Sequence, residues 1–402
     1  MLWRHPDFLK LWAAQSSSAL GSRITRTALP MIAILTIGAT PTEIAILSAL
    51  GVLPGVVVGL LAGGPVDRNR KRPLLVATDL VRAGLILTIP LAAWSGWLSM
   101  PQLYVVAGLI GAASALFRIA DNAYLPALVG MDRLVEGNAK LEATDSIAES
   151  VGPGLAGMLI QAMTAPFAVI VDAASYLSSA LMLSRIRAVE APPAAAERSN
   201  VLDDAKVGIR ACLDEPAVTR LLAAETLMML FGGFFNALYM ILALERLELS
   251  PLAVGLIISV GGIGSFVGAV MAEPMARRFG LGPTLFATLA FGSAAALLIP
   301  LSEAAGPLSI PSLVAHQLLG DAFLSIYLIH ALSLRQRALP PDVLGRAGAT
   351  FHVATGLAMP LGTLIAGPLA ELIGVSATMW IGAFGGLTAA LALLSPTVLR
   401  QR

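Results

Sequence analysis

Apolar residues run along this chain in stretches of roughly 20 to 28 positions, parted by short polar segments, and about twelve such stretches follow one another. A helix rising about 1.5 Å per residue needs about 20 apolar residues to cross the hydrocarbon layer of a bilayer. The predicted spans are residues 8–37, 42–66, 72–95, 101–127, 135–163, 165–185, 216–244, 251–278, 281–303, 306–334, 342–371 and 373–397. They lack strict alternation and exceed the roughly 9–11 residues of a membrane strand, so the pattern predicts helices and not a barrel. Each helix then satisfies its own backbone polar groups in a solvent that offers none.

Composition agrees, because 57% apolar and 13% charged residues leave too little polar surface to coat a water-soluble globule of 402 residues. The few basic residues fall on alternate loops. Arg68, Arg70, Lys71 and Arg72 follow span two, Arg133 follows span four, and Arg185, Arg187, Arg198, Lys206 and Arg210 follow span six. Arg277 and Arg278 follow span eight, Arg335, Arg337 and Arg346 surround the turn after span ten, and Arg400 and Arg402 close the chain. Arg246 is the one clear basic residue on the opposite loops. Positive charge stays on the cytoplasmic side, so both termini and the long central connection are expected there. The first apolar run is too long for a cleaved signal peptide and lacks a small-residue cleavage site, so it is expected to remain as a span.

Residues 186–215 form the one long connection and divide the spans six and six, giving an N-terminal bundle over 1–185 and a C-terminal bundle over 216–402. After Ala-Pro-Pro-Ala-Ala-Ala, the residues Leu202, Ala205, Ile209 and Leu213 recur at helical spacing, which predicts an amphipathic helix on the cytoplasmic membrane surface. Ala123, Gly137 and Ala139 recur as Ala331, Gly345 and Ala347, each pair 208 positions apart (331 − 123, 345 − 137, 347 − 139). With the matching order of spans, this reads as a parallel repeat about an axis along the membrane normal. Gly51, Gly55, Gly59 and Gly63 in span two, and Gly264 with Gly268 in span eight, make small faces for close helix contact, either as fixed packing or as a moving seam.

The turn after span two reads Gly63-Gly64-Pro65-Val66-Asp67-Arg68-Asn69-Arg70-Lys71-Arg72, which resembles the loop motif of the major facilitator superfamily. It departs from that motif at Pro65, Val66 and Arg70 and keeps its Asp and basic positions; Ala276-Arg277-Arg278-Phe279-Gly280 is a degenerate partner after span eight. The stretch from Leu125-Pro126 through Asn138-Ala139 to Gly152-Pro153-Gly154, the pairs Leu339-Pro340 and Gly345-Arg346, and the opening His5-Pro6-Asp7-Phe8 are similar to the branch holding macrolide-type drug effluxers and enterobactin-type siderophore exporters. The resemblance implies an all-α membrane protein of twelve helices in two six-helix bundles. It also implies a cavity lined by spans one, four, five, seven, ten and eleven, and a cytoplasmic gate built on Gly63, Asp67, Arg68, Lys71 and Arg72. Asp67 would meet the positive end of span eleven there. The Gly152-Pro153 pair resembles the antiporter motif of drug and proton exchangers, and reads equally as a kink whose freed carbonyl a neighbouring helix satisfies.

Ionisable residues inside a bilayer each cost on the order of 2.5–3.5 kcal/mol unless they face a partner or a cavity. Span five carries Asn138, Glu142, Asp145 and Glu149 at steps of four, three and four, hence on one face. Three carboxylates so placed cannot all ionise cheaply, so at least one is expected to hold a proton near neutrality. Asp145 and Glu149 lead, Glu142 lies nearer the cytoplasm, and Asp321, beside Gln317 in span ten, is the candidate of the second half. Counter-charges are expected from Arg23 and Arg26 in span one, whose polar face also carries Gln15, and from Arg118 in span four. Arg118 also stands three residues before Asp121 and four before Asn122, within same-helix reach. Buried ion pairs that set helix register are the alternative role. Asp172 and Glu225 stand apart from these sets.

With the resemblance, which implies export of a mid-sized, drug-like organic molecule, these observations lead to the expectation of a secondary transporter working in exchange for protons. Siderophore export is the alternative within the fold, and a non-transporting receptor or scaffold lies outside it. No enzyme activity is expected. The absence of a Gly-x-x-x-x-Gly-Lys-Ser/Thr loop argues against ATP, and the absence of a basic, aromatic-interleaved face argues against nucleic acid. One cysteine, Cys212, and four scattered histidines, His5, His316, His330 and His352, predict no metal site and no cofactor. The expected setting is a bacterial inner membrane, with lipid, a small-molecule cargo and protons as the partners.

Overall fold

The computed structural model describes residues 2–62, 66, 68–188, 190 and 201–400, and among these the chain is nearly all helical, with no strand. In the first half the helices are α1 (Pro6–Ile32), α2 (Pro41–Leu61), α3 (Lys71–Ser95), α4 (Met100–Val129), α5 (Leu134–Met163) and α6 (Ala165–Ser184). The connecting helix is α7 (Val201–Asp214). Then follow α8 (Pro216–Ile241), α9 (Pro251–Phe279), α10 (Leu281–Ala304), α11 (Ser309–Ala338), α12 (Leu344–Ile373) and α13 (Val375–Leu391).

Local chemistry sets the ends. Before α1 the His5 Nδ1 accepts the Phe8 N–H at 3.1 Å, and Pro6 occupies the first turn, where its missing donor is not needed. Helix α3 stops at Gly96, whose φ of 73° is a left-handed conformation that glycine adopts without strain. Both α1 and α8 widen into a five-residue π turn at their ends, Ala33–Ile37 and Leu242–Arg246, 209 positions apart (242 − 33). Such turns are rare, so their recurrence at matching places is independent support for an internal repeat.

Among the described residues nine helices are long and apolar enough to cross a membrane by composition. The predicted spans that miss this mark correspond to α1, α5 and α13. The last is a 17-residue helix, and the first two carry the charged and amide side chains that line the cavity described below.

The chain divides into two compact units, the first comprising Met1–Ala39, Leu47–Glu197 and Ser250–Ser259, the second Thr40–Ile46, Arg198–Leu249 and Val260–Arg402. Within the first, α1 packs on α5 and α6, and α3 on α4 and α6. Within the second, α8 packs on α12 and α13, and α10 on α11 and α13, which repeats the same scheme with counterpart helices. Phe8, Leu11, Leu75, Tyr124 and Leu183 are fully buried in the first core; Leu221, Leu285, Tyr327, Phe351 and Leu393 hold the second.

Small residues decide how closely helices meet. A Cβ at Gly264 would lie 2.5 Å from the Leu318 carbonyl oxygen, and one at Gly268 would strike the Ala322 carbonyl, so α9 lies against the backbone of α11. The ladder of span two behaves differently. Gly55 faces α4, where a Cβ would lie 3.1 Å from the Gly111 carbonyl, while side chains at Gly51 and Gly59 would meet nothing within 4 Å. Gly63 lies outside the described residues.

Helix α7 rests on α12 within the second unit. Gly208 sits over the Arg346 carbonyl, Cys212 is buried, and Arg346 and Asp204 pair at 3.8 Å. Of the predicted apolar stripe, Ala205, Ile209 and Leu213 are exposed, so the protein covers a neighbouring face of this helix. The side chain of Leu202 lies outside the described residues.

Candidate functional site: a charged cavity in the first unit

A cavity of about 970 Å³ opens within the first unit, walled by α1, α3, α4 and α5. Helix α1 contributes Gln15, Ser18, Ser22, Arg23 and Arg26, α3 contributes Arg82, α4 contributes Arg118, Asp121 and Asn122, and α5 contributes Asn138, Glu142 and Asp145. Phe117, Leu125, Leu134, Val135 and Leu141 supply apolar wall between them.

Arg23 lies between two acids of α5: its guanidinium bonds Asp145 at 2.9 Å and forms an ion pair with Glu149. The arginine is 14% exposed, the two carboxylates 47% and 57%, so the set sits at the protein wall with its acidic side open. Gly152 makes this contact possible, since a Cβ there would collide with Arg23 Cβ. The carbonyl of Pro153 lies against Gly255, and the Gly154 N–H donates to Ser259 Oγ at 2.9 Å, within the same unit.

Asp121 accepts a bond from Gln15, not from Arg118. Arg118 and Arg26 are both exposed and form no ion pair among the described residues, so the same-helix pairing of Arg118 with Asp121 does not form. Glu142 is likewise exposed to the cavity and outside any ion pair among those residues.

A second polar cluster lies behind the wall. Asp79 and Arg82 of α3 pair at (i, i+3) with side-chain exposures of 0% and 4%, and Arg82 stacks between the Phe117 and Tyr176 rings, 4.4 Å from each. The Tyr176 hydroxyl is 3.0 Å from Ser22 Oγ; Asp172, fully buried, accepts from Thr25 and from Ser175 Oγ. The sequence reading omitted Asp79 and Arg82, although two opposite charges three residues apart within a span carry the same signal that marks α5. It also left Asp172 without partners, because Thr25 belongs to another helix.

At the loop after α2, Asp67 lies outside the described residues, and Arg68 is exposed. Lys71 Nζ bonds the Val66 and Asn69 carbonyls, each at 2.8 Å, and Arg72 bonds the Leu183 carbonyl at 2.9 Å and that of Ser184. Glu190 accepts the Lys71 and Arg72 backbone N–H groups at 2.6 and 2.7 Å, an anion at the positive end of α3. These contacts tie α3 to the end of α6.

In the second unit, Asp321 and Gln317 of α11 face Gly261 of α9, where any Cβ would strike the Asp321 carboxylate. His316 Nδ1 lies 3.0 Å from the Ala295 carbonyl and His330 Nε2 2.9 Å from that of Ala272, which makes both histidines interhelical ties. Among the described residues no three His, Cys, Asp or Glu side chains converge as a metal site.

The profile of one protein family, described as transmembrane secretion effector, matches residues 2–401. The chain is 29% identical to the multidrug efflux pump Tap of Mycolicibacterium fortuitum, over 93% of this chain and 91% of that one. It is 23% identical to macrolide efflux protein A of Streptococcus pyogenes, over 97% and 95% of the two. A mutant of the nucleoside transporter NupG superposes with a TM-score of 0.79 over 96% of this chain and 99% of that one at 14% identity, a likeness of fold. A polar chamber walled by helices, membrane-length apolar helices around it, and a family match from end to end lead to one statement: the chain belongs to the transmembrane secretion effector family of the major facilitator superfamily, and is a multi-pass membrane transporter, not an enzyme.

Proposed function

We propose that this transporter exports a mid-sized, drug-like organic molecule from the cytoplasm by proton antiport. In this reading twelve spanning helices form two six-helix bundles, 1–185 and 216–402, that rock about a midplane site, with the connection 186–215 and both termini in the cytoplasm of a bacterial inner membrane. The efflux names of the relatives Tap and macrolide efflux protein A support export and a drug-like cargo.

The observation that carries proton coupling is the sharing of Arg23 by Asp145 and Glu149. One guanidinium balances one carboxylate. The second acid gives the set a surplus negative charge beside the cavity, which one proton cancels and whose release restores it. Coupling then requires that the protonated and ionised sets favour different facings of the cavity. Asp321 of α11 is the candidate acid of the second unit.

Purified protein in proteoliposomes, given a panel of hydrophobic drugs across an imposed pH gradient, is expected to show compound-dependent proton flux. Asp145→Asn and Glu149→Gln should each lower that flux while the protein stays folded. Full coupled export in both variants would refute the assignment.

A further inference from the structure

Four guanidinium groups reach the cavity wall, and their partners differ. Arg23 is balanced by Asp145 and Glu149; Arg82 is balanced by Asp79 and covered by two rings. Arg26 and Arg118 have no acidic partner among the described residues, and each is exposed to the cavity. They enter the same chamber from two helices, α1 and α4.

No carboxylate bonds either guanidinium among the described residues. Asp121, one turn along α4 from Arg118, accepts from Gln15 instead. Glu142 is placed by helix register: Trp12 Nε1 donates to Thr144 Oγ1 at 3.0 Å, and Arg23 Cβ abuts Gly152, so α1 and α5 run level with an offset near 130 positions. Arg26 is then level with about residue 155, roughly 20 Å along the helix from Glu142 at 1.5 Å per residue. Two guanidinium forks whose donors no carboxylate takes up therefore face a shared space. A planar guanidinium forks onto an oxyanion with two parallel bonds, and a pair of them can clamp one such group from two helices.

We infer that Arg26 and Arg118 form an anion subsite in this cavity, and that the cargo is an organic anion carrying a carboxylate, sulfonate or phosphate on a largely apolar body. Val135 and Leu141, accessible on the same wall, receive that body, and Asn122, one turn from Arg118, offers a neutral donor beside the clamp. The inference rests on reading this cavity as the cargo chamber. It shifts the determinant of an anionic cargo from the pair Arg23 and Arg26 to the pair Arg26 and Arg118, because Arg23 is already committed to two acids.

The test uses two probes with one carbon skeleton, 8-anilinonaphthalene-1-sulfonate and the neutral N-phenyl-1-naphthylamine. Equilibrium binding is measured on the full chain in phosphatidylcholine nanodiscs, with empty nanodiscs subtracted and no gradient applied. The sulfonate is expected to bind the wild type and to bind the Arg26→Gln, Arg118→Gln double variant about tenfold more weakly or worse, while the neutral probe holds within about twofold. Retained neutral-probe binding certifies that the variant is folded; the single Arg118→Gln variant, at an exposed position, gives the same comparison should the double variant not fold. The double Lys variant should fall between, since it keeps charge and loses the fork. Equal sulfonate affinity in wild type and variant, no sulfonate binding to the wild type, or equal loss of both probes would overturn the subsite. Drug-driven proton flux that persists alongside any of those results leaves proton-coupled export standing without it. Arginine-dependent sulfonate binding with no flux from any compound leaves the subsite standing without proton coupling.

Discussion

At the scale of single residues, exposure decides what a charge does. Asp79 and Arg82 are sealed from water, so Asp79→Asn strands a buried guanidinium, and removing one partner of such a pair costs about 3–5 kcal/mol. The variant should unfold at a clearly lower temperature in detergent. Asp145→Asn, at 47% exposure, should change stability by no more than about 1 kcal/mol, and so serves as a clean probe of transport. Asp7, just before the first span, offers a pH test. Burial pushes its carboxyl up, but the Lys10 ammonium and the Arg187 and Ala188 N–H groups outweigh it and hold the group below its ordinary value. A depressed carboxyl stabilises the folded state above its unfolded value of about 3.9, and that gain disappears as pH falls through the lower folded value. Asp7→Asn should therefore melt below the wild type at pH 7, with the gap closing below about pH 4. The acidic stripe of α5 was legible from spacing alone. Its partner was not, because a helical period says which residues share a face and not which helix lies opposite, 122 positions away.

At the scale of elements, the glycines separate into those that carry a contact and those that do not. Gly268→Leu inserts a branched side chain where α9 meets the Ala322 carbonyl of α11, and overpacking of this kind costs typically about 1–3 kcal/mol. Gly59→Ala points into open space and should leave thermal stability unchanged. Comparing the two by melting temperature checks the assignment. Sequence spacing identified both sets as small faces, yet a run of glycines presents the same pattern whether or not a neighbour occupies it. Helix α7 shows the same limit. Its apolar period was visible, but the face that docks on α12 is the one holding Gly208 and Cys212, chosen by close backbone approach and not by hydrophobicity. The Cys212 thiol should accordingly resist a polar maleimide in the folded protein and react on unfolding.

At the scale of the whole molecule, the order of spans, their lengths and the repeat all follow from where apolar runs begin and end, and the family match extends over the same residues. Helices α1 and α5, predicted as spans 8–37 and 135–163, fall below the apolar mark that nine described helices reach, and both carry ionisable residues of the cavity wall. A hydropathy reading finds uniformly apolar helices and understates those that line a polar cavity. The repeated packing of α1, α3, α4, α5 and α6 by α8, α10, α11, α12 and α13 shows that the two units share a plan while their chemistry differs. The first gathers charges in a cavity; in the second, Asp321 stands against a glycine of α9.

The bond between Arg23 and Asp145 also constrains biosynthesis. Helix α1 leaves the ribosome with an arginine near its middle, and the acids that balance it follow 122 residues later. At about 5–20 residues per second, that is a delay of roughly 6–25 s during which the translocon holds a helix costly to release into lipid. Nascent chains that stop before α5 should be integrated poorly, and those that extend past Glu149 well, with the step abolished by Arg23→Leu. The first helix made would then be among the last to settle.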